Sequence, residues 1–244
     1  MGIRINPRKF APSLGMTALT VFVCALFIYL GRWQWHRGNT RQEAWDQFSR
    51  GAEKVVPLGA QALSSVSLFQ RVSLHGRFDE AHQFLLDNRS YEGRAGYEVL
   101  TPLLRPAGDV ALVDRGWVPF SGLRDRLPGV AIQSHEEVTV TGRVAALPSA
   151  GLASGRAPPT QGSWPKVTSF PTMKELSDAF GAPLEHQIVL LDSHDPDGYV
   201  RDWHPPGLDP TRHWSYAVQW WAFAALSLFL WGRLSLRKPP EAPL

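Results

Sequence analysis

The sequence predicts two transmembrane α-helices flanking an α+β extracytoplasmic domain dominated by an antiparallel β-sheet, for which a barrel-like form is one option. Three observations predict it. Two uncharged apolar runs, each about one bilayer long, lie near the ends of the 244-residue chain. The basic residues crowd outside those runs, and the region between them alternates in the period-two manner of strands.

The first run, Leu14 to Leu30, reads LGMTALTVFVCALFIYL and carries no charge. No small-residue cleavage site follows it, only Gly31-Arg-Trp-Gln-Trp35, so it reads as an uncleaved anchor rather than a signal peptide. The second, Trp214 to Trp231, reads WSYAVQWWAFAALSLFLW, with tryptophans at both ends suited to the interfacial belt. Of 25 Lys and Arg, six lie in the tails (Arg4, Arg8, Lys9, Arg233, Arg237, Lys238), against one of 22 Asp and Glu (Glu241); the middle therefore carries 19 basic and 21 acidic residues. Short basic flanks stay in the cytoplasm. The expected order is a cytoplasmic tail (1–12), a first span (13–31), an extracytoplasmic β-rich domain (32–212), a second span (213–232) and a second cytoplasmic tail (233–244). In a bacterium this is an inner-membrane protein with a periplasmic centre and the lipid bilayer as its first partner. A middle without a basic stripe argues against nucleic acid. Cys24, the single cysteine, falls inside the first run, which excludes an intramolecular disulfide and catalytic thiols in the soluble part.

Between the spans, Val72–Phe78, Gln83–Asp87, Tyr97–Arg105, Val110–Val118, Glu137–Leu147 and Gln187–Asp192 read as strands, punctuated by Gly, Asn, Asp or Pro. The links are too short for helical crossovers, which favours antiparallel pairing. Thr172-Met-Lys-Glu175 is a capping box opening a helix that Gly181 can close. Thr40-Arg-Gln-Glu43 has the same spacing, either as a cap or as a continuation of the first span. Leu147 to Ser163 reads as a long loop, and His204-Pro-Pro-Gly-Leu-Asp-Pro210 as a stiff connector. Val72-Ser-Leu-His-Gly76-Arg77-Phe78 echoes Val138-Thr-Val-Thr-Gly142-Arg143-Val144, which equivalent strands or chance would both produce.

Enzyme signatures are absent: no nucleophile elbow, phosphate loop, dinucleotide fingerprint or zinc-protease helix occurs. Asp192-Ser-His194-Asp195-Pro-Asp197-Gly198 reads as a turn before it reads as a metal site. Asp114-Arg115 and Asp87-Asn88-Arg89 read as structural ion pairs at strand ends. A more telling group sits where the spans meet the domain. His213 opens the second span, with Tyr216, Trp220 and Phe223 near one helical face and Gln219 beside them. Arg212 precedes it, while Arg32, Trp33, Gln34, His36 and Arg37 leave the first span. Two readings remain at this point: an interfacial belt that fixes helix depth, or a haem site with His213 as axial ligand and arginines for the propionates.

Taken in order, Gly31-Arg-Trp-Gln34 with Arg37, Phe69-Gln-Arg71-Val72, Gly76-Arg-Phe78, Asn88-Arg89, Gly93, Gly96-Tyr97-Glu-Val-Leu-Thr-Pro102, Val113-Asp-Arg-Gly-Trp-Val-Pro119 and His213-Trp-Ser-Tyr216-Ala-Val-Gln219-Trp220 form a set. This ordered set resembles the Surfeit-locus (Shy-type) family of cytochrome c oxidase assembly factors. The resemblance implies a non-enzymatic factor for biogenesis of haem–copper oxidase, with the catalytic subunit and the haem a supply machinery as partners. It further implies transient haem a binding, with His213 as iron ligand and Tyr216, Trp220, Arg32, Arg37 and Arg212 around the group. Arg212 departs from the Asn that mitochondrial members often carry. A cofactor-free membrane scaffold for oxidase subunits is the alternative. An extracytoplasmic hydrolase lacks its nucleophile motif, and a sensor lacks room for a cytoplasmic output domain.

Overall fold

The computed structural model describes residues 9–51, 53–124, 126–134, 136–149, 155–205 and 209–237. Arg4, Arg8, Lys238 and Glu241, part of the predicted 147–163 loop and part of the 204–210 connector lie outside the described residues. In chain order the elements are β1 (Lys9–Phe10), α1 (Leu14–Arg50), β2 (Val55–Pro57), β3 (Arg71–Phe78), β4 (Phe84–Tyr91), β5 (Arg94–Leu104), β6 (Val110–Pro119), β7 (Val138–Ala145), β8 (Lys166–Thr168), α2 (Met173–Phe180), β9 (Ile188–Leu191), α3 (Pro210–Leu234) and β10 (Leu236–Arg237). They form two compact units, Met1–Trp45 with Pro206–Leu244, and Asp46–Pro205.

The first unit is a helical hairpin. At 37 residues, α1 is about 55 Å long, far beyond the hydrocarbon thickness. Thr40 does not cap a new helix; its hydroxyl donates to the His36 carbonyl at 3.2 Å, and α1 continues through it. α1 is the one helix, among the described residues, long and apolar enough to cross a membrane, with a mean hydropathy of 2.1 over its best window. α3 begins with Pro210 at the first helical position, where the missing N–H costs nothing, and Asp209 caps it by accepting from Thr211 N at 2.8 Å.

Small residues at seven-residue spacing, Thr17, Cys24, Gly31 and Gly38, run along α1 and receive α3 in antiparallel order. Trp231 Nε1 donates to Thr17 Oγ1 at 3.0 Å, and Cys24 Sγ lies 3.6 Å from the Ala224 carbonyl. A Cβ on Gly31 would lie 2.2 Å from the Trp221 indole, and one on Gly38 2.4 Å from that of Trp214. Spacing of seven keeps one face turned toward a partner helix, and the bare glycines make room for the partner's indoles. Phe27 stacks on Trp220 between these levels, with ring centroids 5.6 Å apart. β1 and β10 pair antiparallel, Phe10 opposite Leu236, and tie off the open end.

The second unit is a mixed eight-stranded sheet in the order β2-β3-β7-β9-β6-β5-β4-β8, with β3 also pairing with β5. All six strands expected from alternation are present. The sheet is not purely antiparallel, however: β2 runs parallel to β3, β8 to β4 and β9 to β6. β8 and β9 arrive from distant parts of the chain and β2 reaches β3 through the 58–70 segment, so no hairpin sets their direction. β4 outlasts its expected end at Asp87, because a bulge at Asp87-Asn88 absorbs the irregularity and pairing resumes at Arg89. Glu92 and Gly93, both at positive φ, then make the two-residue turn into β5.

The repeated heptapeptides turn out to be neighbours. β3 and β7 pair about Leu74 opposite Val140, so that Val72 faces Gly142 and Gly76 faces Val138. Both glycines serve the same purpose: a Cβ on Gly76 would meet the Leu104 carbonyl at 2.6 Å, and one on Gly142 the Leu190 carbonyl at 2.4 Å. Each admits a strand crossing at close range. Leu74, Leu103, Val113, Val140, Val144 and Val189 fill one face of the sheet, while α2 lays Leu176 over Phe84, Leu86, Leu100, Leu112 and Ile188 on the other. α2 is opened by the expected capping box and closed by Gly181 at φ 89°.

The seam predicts a sharp contrast between glycines. Gly31→Val should destabilise the hairpin by about 1–3 kcal/mol through overpacking, read as a lower Tm and lower yield in detergent. Gly232→Val, where nothing lies within 4 Å of the added carbon, should leave both nearly unchanged. Equal effects of the two would refute the close-packed seam.

Candidate functional site

The hairpin gathers only some of the residues singled out in the sequence. His213 is 9% exposed and faces α1, where its Nδ1 lies 2.9 Å from Gln34 Oε1. Trp220 reaches the same seam through Phe27. Tyr216, by contrast, is 54% exposed, and Arg32, Arg37 and Arg212 are all exposed. Arg37 lies over its neighbour Trp33, 5.3 Å from the ring centroid. A shallow groove of about 630 Å³ runs along the outer face of α3, lined by Thr211, Arg212, Ser215, Tyr216, Val218 and Gln219.

For a haem, the donor chemistry fits. A carboxamide oxygen facing Nδ1 selects the tautomer with its proton there, which leaves the Nε2 lone pair for a metal. Exposed guanidiniums on both helices suit propionates. The seam itself offers no room for a macrocycle, because the Trp214 and Trp221 indoles occupy the space over Gly38 and Gly31. The sequence places Gln34 in the cluster that leaves the first span but does not single it out as the partner of His213. The spacing of Gly31, Gln34 and Gly38 on a common face is the signal that could have found it.

A family model for the SURF1 family matches residues 21–225. The chain belongs to the SURF1 family. Uncharacterized SURF1-like proteins of Mycobacterium bovis and Mycobacterium tuberculosis are each 26% identical to it over 260 residues, an alignment covering 98% of this chain and 92% of theirs. The motif residues of this SURF1 protein fall into two groups in space. Gly31, Gln34, His213 and Trp220 make the hairpin seam. Of those in the sheet, Arg89, Gly96, Glu98, Arg115, Gly116 and Trp117 meet on β4, β5 and β6, while Arg71, Val72, Gly76 and Phe78 lie on β3.

In that second group the adjacent charges do not pair with each other, because successive strand residues point to opposite faces. Arg115 turns away from Asp114 and is bound to neutral oxygens: its Nε donates to the Asp197 carbonyl at 2.6 Å, Nη1 to Gln83 Oε1 and the Val130 carbonyl at 3.0 and 3.1 Å, and Nη2 to the Ala131 carbonyl at 3.0 Å. Tyr199 lies under it, 4.9 Å from ring centroid to guanidinium. Arg89 pairs not with Asp87 but with Glu98, at 3.0 Å, and Asp87 pairs with Arg124 at 2.8 Å. Gly96 is bare because Trp117 lies over it, 2.4 Å from where a Cβ would be. The Asp192–Gly198 segment is a turn, as read: Asp192 pairs with Arg71, Asp195 accepts from Thr141 N at 2.6 Å and Asp197 from Gln133 N at 2.5 Å. No group of three metal-ligating side chains occurs among the described residues.

Asp114 is fully buried and accepts from Gly116 N at 3.0 Å. Burial, reinforced by the Glu98 charge, pushes its carboxyl well above the usual range, against the Gly116 hydrogen bond and Arg89. Burial likewise raises Glu98, with Arg89 opposing. A carboxyl raised in the folded state stabilises the fold below its unfolded pKa, and that contribution is lost as pH rises through the folded value. Asp114→Asn should therefore raise the Tm at pH 7, with the gain shrinking to nothing by about pH 4. A variant equal to the parent across that range would show that Asp114 does not titrate differently on folding.

Proposed function

We propose that this SURF1 protein is an assembly factor for haem–copper cytochrome c oxidase, and that it carries haem a transiently to, or steadies it in, the catalytic subunit. The single observation that carries the haem reading is His213. It is an imidazole held at the level where both helices bear exposed arginines, with Nδ1 engaged by Gln34 at 2.9 Å. Haem a is the cargo here, and the chain supplies no catalytic residue. His213 would ligate the iron, and Arg32, Arg37 and Arg212 would meet the propionates, so that the carboxylates are not stranded in hydrocarbon. Tyr216 and Trp220 would offer aromatic surface. The partners in this reading are the oxidase catalytic subunit and the haem a supply machinery.

The two-span topology belongs to the same proposal. α3 falls below α1 in hydropathy because of its tryptophans and polar groups, yet it lies alongside α1 from Trp214 to Trp231. A membrane that takes in residues 17–38 of α1 must therefore take in α3. At 25 residues, about 37 Å, it is long enough to cross. Its outward side chains, including Val218, Leu226, Leu228, Phe229 and Leu230, are exposed and suit lipid. Basic tails then hold both termini in the cytoplasm, with the β domain in the periplasm of a bacterial inner membrane.

A cofactor-free scaffold for oxidase subunits is the second reading, favoured by the seam already filled with Trp214 and Trp221. His213→Ala separates the two. Haem a should be lost from the purified protein while protein level and membrane insertion persist, and oxidase yield should fall. A full haem a spectrum in the alanine variant would hand the case to the scaffold. For topology, a reporter active only outside the cytoplasm should be active when fused at Gly162 and silent after Leu244. The reverse pattern would overturn the orientation.

A further inference from the structure

The His213–Gln34 contact joins residues 179 apart in the chain and is one of the polar links that cross the seam. Gln34 lies three residues from Gly31 and four from Gly38, which receive the Trp221 and Trp214 indoles and so set the register in which the contact forms. A neutral imidazole carries one N–H. With an amide oxygen as its neighbour at Nδ1, the proton resides there and the lone pair at Nε2. Among the described residues Nε2 has no protein partner, so this lone pair is not spent inside the protein. Gln34 cannot itself bind iron productively from where its oxygen is engaged. Its effect must pass through the histidine.

We infer that Gln34 is a positioning residue: it locks His213 in the Nδ1–H tautomer and fixes the ring plane, so that Nε2 is presented as a ready ligand. This rests on the haem reading above, but the tautomer itself does not. A ring nitrogen donating to an oxygen acceptor makes the opposite nitrogen a stronger and better-aimed donor to a metal, an effect worth about 10–100-fold in affinity where it has been removed. Interhelical stapling alone would be a different role. Another cross-helix bond does only that, from Trp214 Nε1 to Asn39 Oδ1 at 3.2 Å.

The test uses the full-length, haem-free protein in detergent, labelled with ¹⁵N-histidine, and the variants Gln34→Met, Gln34→Glu and Asn39→Leu. Long-range ¹H–¹⁵N correlation spectra should show His213 protonated at Nδ1 in the parent. That preference should vanish in Gln34→Met, survive in Gln34→Glu, which keeps an acceptor oxygen, and be untouched in Asn39→Leu. Haem a titration should then give about 10-fold or weaker binding for Gln34→Met, near-parental binding for Gln34→Glu with a shifted absorption spectrum, and no change for Asn39→Leu. Unchanged tautomer or unchanged affinity in Gln34→Met would overturn the positioning role, as would equal losses in Gln34→Met and Asn39→Leu. Absence of haem binding by the parent, with the tautomer pattern as expected, would instead sink the haem reading and leave Gln34 as the determinant of the histidine's tautomer.

Discussion

An indole laid across a bare glycine, twice along one pair of helices, is the constraint on which the hairpin depends. Trp221 over Gly31 and Trp214 over Gly38 leave no freedom in separation or register. In lipid there is no hydrophobic force between helices, so close packing and cross-helix hydrogen bonds must hold them. The seam supplies both, the bonds coming from Trp231 to Thr17, Trp214 to Asn39 and His213 to Gln34. The level of His213 against α1 follows from this register. Nothing in α3 alone would pair it with Gln34.

The β domain solves a different problem, that of charges inside a small sheet. Arg115 is buried, and its fork is taken up not by a carboxylate but by the Asp197, Val130 and Ala131 carbonyls and by Gln83. A buried guanidinium is tolerable when its donors are all engaged. Here that engagement gathers the 130–131 segment and the 197–199 turn onto β6. On the opposite face, Asp114 and Glu98 sit close enough to oppose each other's ionisation, and Arg89 only partly offsets this. One side of β6 is thus fastened by a cation, while the other carries an acid whose ionisation burial opposes.

These two units carry the residues by which the family is recognised, and they carry them for different reasons. In the sheet, Gly96, Gly116, Arg115 and Trp117 answer for close approach, a left-handed turn and donor satisfaction. In the hairpin, Gly31, Gln34, His213 and Trp220 converge on one seam. Among the described residues, the Nε2 of His213 in the hairpin set is engaged by no side chain. For that reason the functional proposal centres on the hairpin.

The sequence by itself determined the apolar first helix, the six main strands and the capped α2, because each follows from a local period or a local cap. It also determined the family, through motifs whose order needs no structure. The tertiary structure alone decided the three parallel pairings and the short strands β2 and β8, since three residues carry no period and a strand's direction depends on where the chain returns. It alone decided that Asp114 and Arg115 part company across the sheet, and that the two heptapeptide echoes are paired neighbours. Of the candidate site, His213 was legible from its place at a span's mouth. Its partner was not, because the hydrogen bond from His213 to Gln34 exists only once two helices far apart in the chain are packed by glycine and tryptophan into a single register.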